Sequence, residues 1–368
     1  MNSVIDTSIL RSEEKAIFAL RSLYRKYGYL PFKMSKFEEY EFYIQNKDFL
    51  VSDRIIAFND TNGKLLALKP DVTLSIIKNG EDSDGGKQKV CYNENVYRVS
   101  ENTHQFKEIM QTGIECIGSV DTYDIYEVLH LACRSLELLS EDFVLEISHL
   151  GLISGLLEKA DVQQGFRQEV LQYLSEKNSH DLSRICQEQG ICDGLRDMLL
   201  ALVQAYGPRQ KVLESLKAFA SQLPAGVLGE LEALSEMLDA LPCSQRIVFD
   251  FSCLNNMNYY NGIVFRGYLA GLSQSVLTGG QYDKLLRKMN RKAGAVGFAI
   301  YLDLLAGLPG QRADRDVDVL LLYDPATPPQ KIARKVEELL AAGKTVSSQT
   351  AIPAKLRYGE LLDLRKED

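Results

Sequence analysis

Apolar positions near the start of the chain recur at helical spacing. Ala16, Leu20, Leu23 and Tyr27 share one face, Glu13, Glu14, Arg21 and Arg25 take the other, and Gly28 stops the run. This predicts an amphipathic helix over residues 12–27. The period then changes. Two apolar runs, 54–60 and 64–69, flank Asn62-Gly63, a pair that tolerates positive φ, and predict a β-hairpin. Residues 89–99 and 107–117, joined by the polar stretch 100–105, predict a second and longer hairpin.

Asp121 stands where it would cap a helix running to Leu139, and residues 143–148 return as a short strand. From 152 to 241 the pattern is helical almost throughout, broken at Gly165, Gly190, Gly207-Pro208 and Pro224. Strand signals resume at 246–252, 261–269 and 273–277. A helix is expected from about 297 to 308, ending at Gly307-Leu308-Pro309-Gly310. After a linker at 311–316 come a buried strand (317–323), a helix (330–342) and a short β element near Val346, about one β-α-β unit in all.

Strands joined in hairpins, out of alternation with helices, point to the α+β class: an antiparallel sheet with helices packed on it. We expect one domain from residues 1–150 and 244–310, a helical insertion over 151–243, and a truncated α/β unit over 317–368. The sequence has no internal repeat, heptad run or low-complexity segment.

The 368 residues are 45% hydrophobic and 25% charged, ordinary for a globular chain. A net charge of −8 offers no global basic field to a polyanion, which weighs against a nucleic-acid partner. No basic leader followed by an apolar run opens the chain, and no stretch of about 18 apolar residues occurs, so a cytoplasmic address without membrane contact is expected. Seven cysteines form no CxxC pair and read as reduced, mostly buried thiols. His104, His130, His149 and His180 fall in unrelated contexts, and the common nucleotide and hydrolase motifs are absent, so neither metal nor cofactor is expected.

Candidate chemistry lies in polar residues set among apolar strands. Asp71 and Thr73 follow Leu65-Leu66-Ala67-Leu68-Lys69-Pro70, and Gln111 and Glu115 lie four apart around Gly113. On a strand, positions 111, 113 and 115 share a face, with the glycine leaving space between the two side chains, as in the floor of a small polar pocket. Carboxylates suit a ligand ammonium, and Gln111 can donate and accept. Tyr259 and Tyr260 could line an aromatic wall, and Arg98 could hold a carboxylate or phosphate. A free amino acid with a planar side chain satisfies this set. The plainer alternative pairs Glu115 with Arg98 across a hairpin, buries the tyrosines as core and uses Asp71 to cap a helix starting near Val72.

The order of these segments resembles the histidine-type class II aminoacyl-tRNA synthetases over almost the whole chain. Leu66-Ala67-Leu68-Lys69-Pro70-Asp71-Val72-Thr73 resembles the family's Leu-Arg-Pro-Glu-x-Thr, whose acid and threonine hold the ammonium of histidine. Tyr97-Arg98 and Gln111-Thr112-Gly113-Ile114-Glu115 resemble motif 2 and its histidine-contacting strand. Met257-Asn258-Tyr259-Tyr260-Asn261-Gly262 and Gly279-Gly280-Gln281-Tyr282-Asp283 are similar to Leu-Asp-Tyr-Tyr-Thr-Gly and Gly-Gly-Arg-Tyr-Asp, and residues 297–304 sit where motif 3 belongs. The resemblance implies a synthetase-like fold and histidine binding by Asp71, Thr73, Arg98, Gln111, Glu115, Tyr259 and Tyr260.

The departures fall on the ATP side. Asn255 stands where the ligases carry a catalytic arginine, Asp303-Leu304 where motif 3 ends in Glu-Arg, and residues 99–104 lack Arg-x-Glu-Arg. Ser35 stands near the proline of motif 1. Each donor lost to a developing phosphate charge typically costs about 10²–10³-fold in rate, so adenylation is not expected. A retained histidine pocket without adenylation is similar to the family branch whose members regulate ATP phosphoribosyltransferase, the first enzyme of histidine biosynthesis. That branch implies no catalysis by this chain itself, self-association as a dimer within a hetero-oligomer, a short-form catalytic subunit as partner and histidine as effector. A divergent active ligase and a free-standing histidine sensor are the other readings.

Overall fold

The structure, a computed structural model, describes residues 10–50, 54–80, 86–100, 103–159, 163–254, 259–308 and 315–366. In chain order its strands are β1 (Leu30–Pro31), β2 (Phe37–Glu39), β3 (Ala57–Asn59), β4 (Leu65–Leu68), β5 (Lys87–Val99), β6 (Phe106–Gly118), β7 (Phe143–His149), β8 (Tyr206–Pro208), β9 (Ile247–Asp250), β10 (Ile263–Leu269), β11 (Leu277–Gln281), β12 (Gly294–Tyr301), β13 (Val317–Leu322), β14 (Val346–Gln349) and β15 (Tyr358–Asp363). The helices are α1 (Ser12–Lys26), α2 (Tyr40–Gln45), α3 (Val72–Asn79), α4 (Thr122–Leu139), α5 (Leu150–Lys159), α6 (Gln164–Ser175), α7 (Ser179–Glu188), α8 (Asp193–Gln204), α9 (Arg209–Lys217), α10 (Val227–Asp239), α11 (Asp283–Lys288) and α12 (Pro329–Ala341). Two compact units result, Met1–Gly307 and Leu308–Asp368.

The first unit is built on a nine-stranded sheet, in the order β1-β5-β6-β12-β11-β10-β7-β9-β8. Its pairs are antiparallel except β1 with β5 and β7 with β9, so the expected antiparallel α+β arrangement holds with a parallel pair toward each flank. Both hairpins form. The long one runs from Lys87 opposite Gly118 to Val99 opposite Phe106. In the short one, Asp60 Oδ1 accepts from the backbone N–H groups of Asn62 and Lys64, each at 2.8 Å, and Gly63 takes φ 81°.

Helices α1 and α4 cover one face of the sheet. Tyr24 hydrogen-bonds Ser135 at 3.0 Å and meets the ring of Phe298 edge-on at 6.1 Å. Asp121 caps α4 as expected, accepting from the backbone of Tyr123 and Asp124 while Asp124 returns a bond to the Asp121 N–H. Phe298 alternates with Gly297 and Ala299 along β12, which turns those two small residues to the opposite face.

Four expectations change. Residues 297–308 are not a helix but β12 followed by a 3-10 turn over Leu302–Gly307, because the slot between β6 and β11 supplies backbone partners on both sides. An apolar run of this length carries no period that separates the two states. The strand expected at 273–277 starts four residues later, at Leu277, and includes Gly279 and Gly280, which weaken a strand signal. Gly207-Pro208 is more than a break: it belongs to β8, which closes the sheet edge on β9. The second unit has three parallel strands in the order β14-β13-β15. The last was not foreseen because Tyr358-Gly359-Glu360 reads as polar.

Among the described residues, no helix is long and apolar enough to cross a membrane.

Candidate functional site

The pocket grows out of the β5–β6 hairpin. Gln111, Gly113 and Glu115 alternate along β6 onto the face away from α1 and α4, opposite Tyr301, Ala299 and Gly297 of β12. Thr278 of β11 pairs with Ala299 and continues the same face. Asp71 and Thr73 reach it from the start of α3, and Tyr259 and Tyr260 close it from the segment before β10. Apart from Gly113, these groups line a cavity of about 380 Å³ that also includes Arg98. All seven residues singled out in the sequence thus meet in one place.

Glu115 is its electrostatic centre. The side chain is 2% exposed; Thr73 Oγ1 donates to Oε1 at 2.7 Å and the Tyr282 hydroxyl to Oε2 at 2.5 Å. Burial pushes the carboxyl up to about 8 from its ordinary 4.5, although both hydroxyl bonds pull it down. Glycine at 297 makes room for it: a Cβ there would fall 1.8 Å from Glu115 Oε2 and 2.5 Å from the carbonyl of Ile114. Asp71 is also raised by burial, and the N–H of Leu74 and the charge of Arg98 oppose the rise.

The plainer alternative for Asp71 is correct as far as it goes: its Oδ1 caps α3 by accepting from Leu74 N–H at 2.8 Å, and the residue faces the cavity as well. The Glu115–Arg98 pair does not form. Arg98 lies opposite Lys107 on the hairpin, and its Nε donates to the carbonyl of Pro70 at 3.0 Å. Tyr259 packs against Tyr260 and Tyr282, with ring centroids 4.7 and 5.5 Å apart. Burial holds all three hydroxyls well above the ordinary tyrosine range, so they remain neutral donors.

Several lining residues were not foreseen. Tyr92, directly opposite Gly113, lays its hydroxyl end where a Cβ of residue 113 would stand, at 2.6 Å. It is 4% exposed and lines the cavity, and its carbonyl accepts from Thr112 Oγ1 at 3.0 Å. The space left by Gly113 is therefore occupied by a neighbouring ring. Tyr282 lay within the Gly-Gly-Gln-Tyr-Asp segment without a role, and Tyr301, bonded to Thr278 at 3.1 Å, lay in the run read as a helix. Opposition to a strand glycine is the one signal that could have found Tyr92.

On the nucleotide side, Asp303 is exposed and accepts from the Met110 N–H at 3.0 Å, and Leu304 is half-buried; neither lines the cavity. Asn255 lies outside the described residues, as do residues 101 and 102 of the hairpin loop and 311–314 of the expected linker. Ser35 is exposed, with its hydroxyl accepting from Phe37 N–H. One buried and one half-buried acid, the amide of Gln111, neutral hydroxyls and one guanidinium can hold a small ligand that carries an ammonium, a carboxylate and a planar ring.

The histidyl-tRNA synthetase family profile matches residues 7–305. The chain belongs to the histidyl-tRNA synthetase family. A relative from Oceanobacillus iheyensis named ATP phosphoribosyltransferase regulatory subunit is 28% identical over 313 residues, 83% of this chain and 77% of its own. Among solved structures, an ATP phosphoribosyltransferase regulatory subunit/histidyl-tRNA synthetase from Bacillus halodurans C superposes with a TM-score of 0.73 at 22% identity, covering 95% of this chain and 93% of its own. A chain of the ATP phosphoribosyl transferase complex from Thermotoga maritima gives 0.63 at 22%, over 79% of this chain and 97% of its own. The fold is thus that of the class II synthetase family, a mixed sheet with flanking helices.

Proposed function

We propose that this chain is a non-catalytic regulatory subunit of ATP phosphoribosyltransferase, and that it binds free histidine in the pocket around Glu115. The observation that carries the reading is an asymmetry. Groups able to hold an ammonium and an imidazole converge on one cavity, whereas the motif 3 position that carries arginine in the ligases is Leu304, off the cavity. Relatives named for the same role support it. In this reading Asp71, Thr73 and Gln111 take the ammonium, Glu115 with Tyr259 and Tyr260 the imidazole, and Arg98 the carboxylate.

The partner is a short catalytic subunit, joined to dimers of this chain in a hetero-oligomer that needs it for activity. Histidine inhibits by binding the inhibited arrangement more tightly than the active one, and linkage makes that coupling reciprocal. We read residues 151–243 as an insertion into the synthetase-like domain and 317–368 as resembling the start of an anticodon-binding domain.

The test is phosphoribosyl-ATP formation by a short catalytic subunit from the same source, with and without this chain, at zero and millimolar histidine. Activation reversed by histidine is the expected result. No effect on the partner overturns the reading, and histidine-dependent pyrophosphate exchange by this chain alone would mark an active ligase instead.

A further inference from the structure

A second cavity, of about 300 Å³, lies along the outer flank of β5, and Tyr92 lines both it and the pocket around Glu115. Its origin is a gap in the sheet edge. β1 ends at Pro31, and the last bond from that side runs from Phe32 N–H to the Cys91 carbonyl at 2.8 Å. Among the described residues the edge is next met at Tyr97, whose N–H bonds the Lys69 carbonyl at 2.8 Å. In an antiparallel pair every second residue turns both backbone groups away from its partner strand. Asn93 shares that phase with Cys91 and Tyr97, so its N–H faces the gap.

The polar part of the cavity is basic. Arg21 of α1 and Lys33, just past β1, line it, and among the described residues neither has a carboxylate partner. Glu94 also lines it, but its carboxylate is taken by Lys69 at 2.9 Å. Arg21 is tied to the sheet. One orientation of the Asn93 amide satisfies both its ends: Nδ2 donates to the Tyr92 carbonyl at 3.0 Å and to Thr112 Oγ1, and Oδ1 accepts from Arg21 Nη2 at 2.6 Å and Nε at 3.3 Å. Thr112 in turn donates to the Tyr92 carbonyl at 3.0 Å. One edge of the guanidinium is thereby fixed, and the other, Nη1 with the second Nη2 hydrogen, meets no acceptor among the described residues. Tyr24, Pro31, Phe32 and Cys91 make up an apolar wall.

We propose that this cavity is a second ligand site, built for a phosphomonoester carried on a flat apolar body. Two unpaired cations match the nearly double charge of a phosphomonoester better than the single charge of a carboxylate. The open edge of Arg21 is a fork for two phosphate oxygens, Lys33 supplies a point charge, and the Asn93 N–H is a further donor. The apolar body lies against Pro31 and Phe32. A solvated surface arginine has no need of a hydrogen-bonded relay through Asn93 and Thr112, and that relay is what sets Arg21 apart from the other cations of α1. The inference is independent of the histidine reading, because Arg21, Lys33 and Asn93 do not line the pocket around Glu115.

The experiment is calorimetric titration of the full chain with phenyl phosphate at low salt, with inorganic phosphate and benzoate in parallel. Saturable binding of one phenyl phosphate per chain is expected, about 10-fold tighter than either comparison, since one lacks the ring and the other the second charge. Arg21→Gln and Lys33→Gln alter exposed positions and should each weaken it about 10-fold, with melting curves showing that both variants fold. Arg25→Gln, one turn along α1 and off this cavity, and Arg98→Gln, in the other pocket, should each change it less than about 2-fold. No saturable binding up to about 10 mM overturns the proposal. So does benzoate bound as tightly as phenyl phosphate, an affinity that Arg21→Gln leaves unchanged, or an equal loss in Arg25→Gln or Arg98→Gln. Should Arg21→Gln fail to fold, Lys33→Gln decides between the same outcomes.

Discussion

Replacing Glu115 by glutamine separates what the carboxyl does for the ligand from what it does to the fold. Its folded-state value of about 8 lies above the 4.5 expected of an unfolded chain. Between those two pH values the unfolded chain is ionised while the folded chain holds its proton, so stability falls as pH rises through the window and levels off above it. At full weight the gap corresponds to ~5 kcal/mol. Local relaxation and water around the cavity reduce what is measured, and we expect about 1–3 kcal/mol.

Glutamine has the same shape, keeps a carbonyl oxygen to accept from one of the two hydroxyls while its NH2 donates to the other, and does not titrate. The ligand-free Glu115→Gln variant should therefore be more stable than the parent by about 1–3 kcal/mol near pH 8 and equal to it near pH 4. Urea unfolding across that range reads the difference. Histidine affinity should fall by about 10–100-fold at the same time, measured by calorimetry, because one charge-assisted bond is lost. A stability difference that stays flat from acid to alkaline pH would refute the reasoning, since Glu115 would then ionise normally in the folded chain.

Three further variants probe neighbouring parts. Asp71→Asn should keep the α3 cap, and with it stability to within ~0.5 kcal/mol, yet weaken histidine binding; Asp71→Ala should lose about 1 kcal/mol as well, and equal effects of the two on binding and melting would unseat the double role. Gly297→Ala should cost about 1–3 kcal/mol and displace Glu115, because its Cβ meets a carboxylate and a carbonyl at once; histidine bound at parental affinity would contradict the placement. Glu94→Ala should cost about 3–5 kcal/mol by leaving the fully buried Lys69 without the carboxylate it contacts at 2.9 Å, and an unchanged thermal midpoint would mean the pair is not buried as described.

How far the fold was legible depended on whether the local signal and the tertiary demand agreed. Asn62-Gly63, Asp121 and the polar stretch joining β5 to β6 each carry a local mechanism, and each element stands where expected. The failures share a cause. β12 and β11 are central strands in which glycine is required by close approach, with Cβ clashes of 2.5 Å at Gly279 and 2.6 Å at Gly280 against neighbouring backbone. Glycine weakens a strand signal in the sequence at the positions where the sheet needs it most. β8 and β15 are edge strands of three and six residues, whose pairing is decided by partners far along the chain.

The site was more legible than its surroundings for a related reason. A polar side chain in an apolar strand must be satisfied from somewhere, so Gln111 and Glu115 announced a cavity before its walls were known. Tyr92, Tyr282 and Tyr301 gave no such notice because a tyrosine in a strand is ordinary core until its hydroxyl is located. The same accounting bears on which residues persist. Glu115 is bonded by Thr73 and Tyr282, and Asp71 caps α3, so these groups serve the fold whether or not a ligand is present. An arginine that faces only a ligand phosphate has no such second task. A chain relieved of adenylation can lose it at little cost to stability, whereas loss of Glu115 would orphan two buried hydroxyls, and this is the asymmetry between the two sides of the pocket.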